Sequence, residues 1–142
     1  MNTADITAEV FVESMLRHVP FDGWSEAAMQ VTAEELGMSA SDVDVLFPSR
    51  VIGVIETGLK DIDNRMVDIF MARFDAEIAT MPVHVKVREL LLARFELLQP
   101  HKEAVRKLLA FMAQPRHAKL GTSLVYKTLD RVWRAAGDRS TD

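Results

Sequence analysis

The chain has 142 residues, no cysteine and a formal net charge of −4 at pH 7. That length suits a single domain, and the absence of thiols excludes a disulfide framework, a cysteine nucleophile and a cysteine-ligated metal. The N-terminus has no signal-peptide or transit pattern, and no apolar run approaches the roughly 20 residues of a spanning helix. The expectation is a cytoplasmic protein, or one peripheral to a membrane. The charge is unevenly placed: residues 1–49 set nine acids against one base, Arg17, while residues 50–142 set 16 bases against 12 acids.

The elements in chain order are all helical. Apolar Ile6, Val10, Phe11 and Met15 mark an amphipathic helix over 5–18, ended by Pro20 and Gly23. Ser25 is placed to cap a second helix, with Glu26 in its first turn and Gly37 at its C-terminal end. A short third helix runs from about Ser41 to Phe47 and stops at Pro48. Ser49 then caps a long segment whose apolar positions run from Ile52 to Ile78 at spacings of three and four. It is one helix, or two with a break near Asp63-Asn64. Pro82 opens the next helix at its first position. Val83 to Val87 alternates like a strand, but the spacing Val87, Leu90, Leu91, Phe95, Leu98 is helical. Pro100 opens a further helix with Val105, Leu108, Leu109 and Met112 on one face, and Pro115 ends it. Leu120, Leu124, Leu129, Val132 and Trp133 mark the last helix, capped by Gly137. The fold class is therefore all-α, with about seven helices. Residues 1–48 form an N-terminal helix-turn-helix-like unit, residues 49–142 a second helical region, and the two make one compact domain.

Residues 25–53 resemble the DNA-binding end of TetR-type regulators: Gly37-Met38-Ser39 as the turn, then the recognition helix to Phe47, then Ser49-Arg50. The charge is wrong for DNA. Phosphate contacts supply most of the affinity of such a helix, and this one carries Asp42 and Asp44 with no base. A transcription regulator is thus the disfavoured alternative, and no nucleic-acid partner is expected.

No catalytic constellation emerges. His18, His84, His101 and His117 are scattered without His-Glu-x-x-His or Glu-x-x-His spacing, and no phosphate loop or nucleophile elbow is present. His101 is expected to be solvated in the first turn of its helix. Asp61, Asp63, Asp68, Asp75 and Glu77 alternate with Lys60, Arg65 and Arg73 and read as a solvated face with i,i+4 pairs. The expectation is no catalytic residue, no metal and no cofactor, which leaves binding as the leading class. Flexible methionines and flat aromatics suit a cavity for an apolar tail, but at helical spacing they equally build an ordinary core. Periodicity does not separate the two.

The string Trp133-Arg134-Ala135-Ala136-Gly137-Asp138-Arg139-Ser140-Thr141-Asp142 resembles the signature of the coenzyme Q (ubiquinone) biosynthesis accessory family. Gly23-Trp24, Arg94-Phe95-Glu96, Pro100 to Arg106, Leu109-Ala110-Phe111 and Lys127 to Trp133 add to the likeness. The resemblance implies a TetR-like helical bundle and a non-enzymatic protein. Such a protein binds a polyprenylated quinone intermediate or a phospholipid and presents the quinone to ring-modifying enzymes, chiefly a di-iron hydroxylase. On that basis Phe70, Phe74, Leu91, Phe95, Leu108, Phe111, Met112, Leu124 and Trp133 are the expected lipid-contacting residues, and Asp138 and Asp142 the expected partner-contacting ones. Trp133 is expected to be buried on the apolar face of the last helix. The family signature continues past Asp142, so an aromatic-rich helix and an amphipathic, membrane-touching segment are expected to follow. With them the protein is expected to be a homodimer, peripheral to the inner membrane in a bacterium or on the matrix side in a mitochondrion.

Overall fold

In the computed structural model, residues 7–137 are described, and among them every regular element is a helix. The α-helices are α1 (Ala8–Leu16), α2 (Val19–Asp22), α3 (Glu26–Leu36), α4 (Ala40–Leu46), α5 (Val51–Phe74), α6 (Val83–Leu98), α7 (Lys102–Met112) and α8 (Ala118–Gly137). Short 3-10 turns at Ile78–Thr80, Gln99–His101 and Pro115–His117 lie in the connections. Seven helices of two or more turns match the expected number, and α2 is a single extra turn.

Local chemistry sets most of the ends. The Ser25 hydroxyl accepts from the Ala28 amide, so the start of α3 leaves one less donor unpaired. Gly37 ends α3 in the left-handed region at φ 69°, where a side chain is disfavoured. Ser39 and Asp42 form a reciprocal capping box at the start of α4. Several boundaries differ from the expected ones. Pro20 does not stop a helix but lies early in α2, where its missing N–H costs nothing. Pro82 is the cap before α6 rather than its first residue. Pro100 lies in the 3-10 turn that precedes α7. Arg50, not Ser49, stands at the N-cap position of α5, at φ 58° and without a side-chain cap hydrogen bond; its guanidinium bonds Glu26 at 2.7 Å and also Asp44, which holds the strained backbone in place. The α5 helix is continuous through Asp63-Asn64 and stops at Phe74, leaving Ile78 in the following turn.

The core has two clusters. One joins α1, α3, α4 and the start of α5 to Ala104 and Leu108 of α7 and Leu124 of α8. At its centre Phe11 and Phe47 are fully buried with ring centroids 5.0 Å apart, so Phe47 plugs the helix crossing as its position suggests. Gly58 lets α5 approach α1 closely, since a Cβ there would come 3.1 Å from Val12. The Trp24 indole N–H donates to the Ala104 carbonyl at 3.0 Å, fastening the N-terminal unit to α7. The second cluster is Met66 and Phe70 of α5, Leu90 and Ala93 of α6, and Val132 and Ala136 of α8.

One polar knot ties these last three helices together. Asp63 of α5 is buried, receives the Arg94 guanidinium of α6, and accepts from the Thr128 hydroxyl of α8 at 3.2 Å. The sequence reading put Asp63 on a solvated face. Its neighbours Asp61 and Arg65 do form the expected i,i+4 surface pair at 2.9 Å, but Asp63 lies on the inward side of the same helix.

Candidate functional site: an apolar face along α6 and α8

The α8 helix carries two apolar stripes. Leu124, Val132 and Ala136 point inward. Val125, Tyr126, Leu129 and Trp133, at spacings of one, three and four, form a second stripe that is exposed. On α6, Leu92 and Phe95 are also exposed, and Leu91 is partly covered. The two helices pack directly on each other, through Leu90 and Ala93 against Val132 and Ala136. Large apolar side chains therefore stand in water along neighbouring helices. Single exposed apolars are ordinary, but a run of this kind marks an interaction surface.

This placement corrects the expectation for Trp133. It is 64% exposed and takes no part in the core. Phe95 is equally exposed. The other expected lipid-contacting residues divide between the two clusters: Phe70, Phe74 and Leu91 in the second, Leu108, Phe111, Met112 and Leu124 in the first. The structure does not bring the nine into one cavity. A pocket of about 170 Å³ between α1, α5 and the α6–α7 junction includes only Leu108 of them, among Leu16, Trp24, Leu98 and His101. His101 is thus partly covered rather than fully solvated. A groove of about 500 Å³ between α5 and α8 includes only Leu124. Asp138 and Asp142 lie outside the described residues. The exposed stripe was legible in principle, because Tyr126, Leu129 and Trp133 follow one another at spacings of three and four.

The helix-turn-helix-like unit presents acid rather than base. On α4, Asp44 and Val45 are exposed, and Asp42 is committed to the cap. The base nearest in sequence, Arg50, is held by Glu26 and Asp44, and the Glu26 hydrogen bond in particular raises its already high pKa. Elsewhere among the N-terminal helices Arg17 bonds Glu35 at 2.8 Å and His18 bonds the same carboxylate. Those bonds, the one from His18 foremost, hold Glu35 below its ordinary pKa. None of these cations is free to meet a phosphate backbone.

Among the described residues no three His, Asp or Glu side chains gather where a metal could bind, and no helix is long and apolar enough to cross a membrane. The Arg73 guanidinium and Glu96 carboxylate pair at 2.7 Å between α5 and α6, which lowers the Glu96 pKa and raises that of Arg73. His117 stacks on Phe111 with ring centroids 4.0 Å apart and closes the α7–α8 connection through the Phe111 carbonyl. It serves the turn.

No family model matches the chain. Over 133 residues, 92% of its length, the chain is 27% identical to the ubiquinone biosynthesis protein COQ9, mitochondrial, of Drosophila melanogaster. It spans about 40% of the length of that relative. Together with the motif that begins at Trp133, this similarity supports the COQ9-like family as the one to which the chain is related.

Proposed function

We propose that this chain is the helical body of a non-enzymatic, lipid-binding accessory protein of ubiquinone biosynthesis, and that it presents polyprenylated quinone intermediates to ring-modifying enzymes. The observation that carries the reading is the exposed stripe of Val125, Tyr126, Leu129 and Trp133, which leads directly into the family-like motif. An isoprenoid tail is long, flexible and apolar, and it gains by covering such a surface at about 25 cal/mol per Å². In this reading the tail lies along the α6–α8 edge over Phe95, Leu129 and Trp133, with Leu91 beneath it. Phe70, Phe74, Leu108, Phe111, Met112 and Leu124 form the packed wall behind. The wall can yield, because Met112 and its partly covered neighbours are adaptable. Asp138 and Asp142 meet the partner hydroxylase beyond the end of α8. The frame is TetR-like, the protein is a homodimer, and it works at the surface of the inner membrane, taking up its lipid there. A peripheral position also fits a ligand that is insoluble in water.

The test is a titration of the chain with a quinone carrying a short isoprenoid tail, followed by indole fluorescence. Trp133 stands in water and Trp24 is half-covered, so covering the α6–α8 edge shifts the emission of Trp133 to shorter wavelength. Trp133→Phe removes that response. A shift that survives in Trp133→Phe places the ligand elsewhere, and no saturable shift at all counts against lipid binding.

A further inference from the structure

The groove of about 500 Å³ between α5 and α8 differs from the rest of the surface in its charge. Three bases line it, Lys60, Lys127 and Arg131, with Asn64 and the hydroxyls of Thr57 and Thr128 between them. Its acids are Glu56 and Asp63. Asp63 is already neutralised by Arg94 at the floor, so the open part of the groove has three cations against one carboxylate.

Those cations are poorly paired by the standards of this protein. Arg17, Arg50, Arg73 and Arg106 each bond a carboxylate at 2.7 to 2.8 Å, and Arg65 and Arg134 do so at 2.9 and 3.1 Å. Among the described residues Arg131 instead reaches only the neutral Asn64 amide oxygen, at 3.5 Å, and the adjacent Asp130 pairs with Arg134. Lys127 stands 3.6 Å from Glu56. Lys60, one turn from both Glu56 and Asn64, has no ion pair among the described residues. Converging donors with spare capacity, in a recess of ligand size, are the arrangement that holds an oxyanion. Like charges held together also raise the free energy of the empty groove, which an anion relieves.

We propose that this groove is a binding site for a phosphate-bearing ligand, with Lys60 and Arg131 as its principal contacts and Lys127, Asn64 and Thr57 completing the donor set. Leu59 and Leu124, also in the lining, give the part of the ligand next to the phosphate an apolar wall. The buried knot of Asp63, Arg94 and Thr128 fixes the two helices at the spacing the groove needs. This goes beyond the tail-binding reading and does not depend on it, because the groove opens between α5 and α8 and the exposed apolar stripe borders α6. The phosphate can come from a lipid headgroup or from a soluble phosphate or diphosphate ester. The chemistry of recognition is the same.

The experiment is a titration of the isotope-labelled chain with inorganic pyrophosphate at low ionic strength, followed by amide shifts. Saturable shifts confined to residues 56–64 and 124–131 are expected. Lys60→Gln and Arg131→Gln should each weaken the binding by about tenfold or more, the effect of losing one charge-assisted contact. Lys119→Gln, at an exposed base near the other end of α8 with no ion pair among the described residues, should leave it unchanged. Either groove variant alone suffices if the other folds poorly. Sedimentation with vesicles of phosphatidylglycerol, against phosphatidylcholine, separates the sources. Anionic-vesicle binding lost in both groove variants identifies a headgroup, and pyrophosphate binding without vesicle binding identifies a soluble ester. The absence of both, or an equal loss in Lys119→Gln, overturns the proposal.

Discussion

Replacing Asp63 by alanine should be among the most damaging single changes in this protein, although the residue sits in a run of charged positions. Asp63 is 6% exposed, and the side chain of its partner Arg94 is 15% exposed. Removing the carboxylate leaves a guanidinium in the core without a counter-ion and deprives the Thr128 hydroxyl of its acceptor. Breaking a buried pair from one side costs about 3–5 kcal/mol, mostly the desolvation of the stranded charge. In a domain of this size that lowers Tm by about 10–20 °C. The double variant Asp63→Leu/Arg94→Met removes both charges and replaces them with apolar volume, so it should recover to within about 1 kcal/mol of the parent. Urea denaturation of the parent, both single variants and the double variant closes the cycle. A cost for Asp63→Ala below about 1 kcal/mol would refute the reasoning, because it would put the pair in solvent.

Two further outcomes follow from the same structure. Trp133→Ala should change stability by less than about 1 kcal/mol, since the ring is mostly in water, and a urea midpoint lowered as far as a core truncation lowers it would show the indole buried. Glu35, held below its ordinary 4.5 by His18 and then Arg17, contributes stability that is complete above that value and is lost as pH falls through the lowered one. Glu35→Gln should therefore flatten the fall of stability below pH 4.5, and an unchanged slope in acid denaturation would show that the His18–Arg17–Glu35 cluster is not formed.

Much of the helical frame can be read from local chemistry. Ser25 and Gly37 act within one turn of themselves, so their caps are visible in the sequence; Ser39 acts equally locally, but the sequence reading placed it in the turn and began the helix at Ser41. The misplacements have a different origin. Arg50 stands at the N-cap position of α5 with its side chain held by Glu26 and Asp44, which are distant or unremarkable in sequence. Asp63 looks like its neighbours Asp61 and Asp68 until α6 and α8 deliver Arg94 and Thr128 to it. The α8 helix has two adjoining sets of apolar residues, and periodicity does not say which one the rest of the molecule covers. Leu124 and Val132 won that competition, which left Trp133 outside. The candidate lipid-contacting set mixes both stripes for this reason. The groove of Lys60, Lys127 and Arg131 was hidden for the same reason as Asp63, since its two walls are 60 residues apart.

In the proposed function the chain carries an isoprenoid lipid on its apolar face. The most direct measurement is mass spectrometry of organic extracts from the purified protein, made alongside a variant with Phe95→Ser and Leu129→Ser. Both positions are exposed, so the variant keeps the core and loses the proposed contact. The account predicts a prenylated quinone or phospholipid in near-stoichiometric amount with the parent and little with the variant. Lipid-free parent protein, or equal lipid in both, would contradict it.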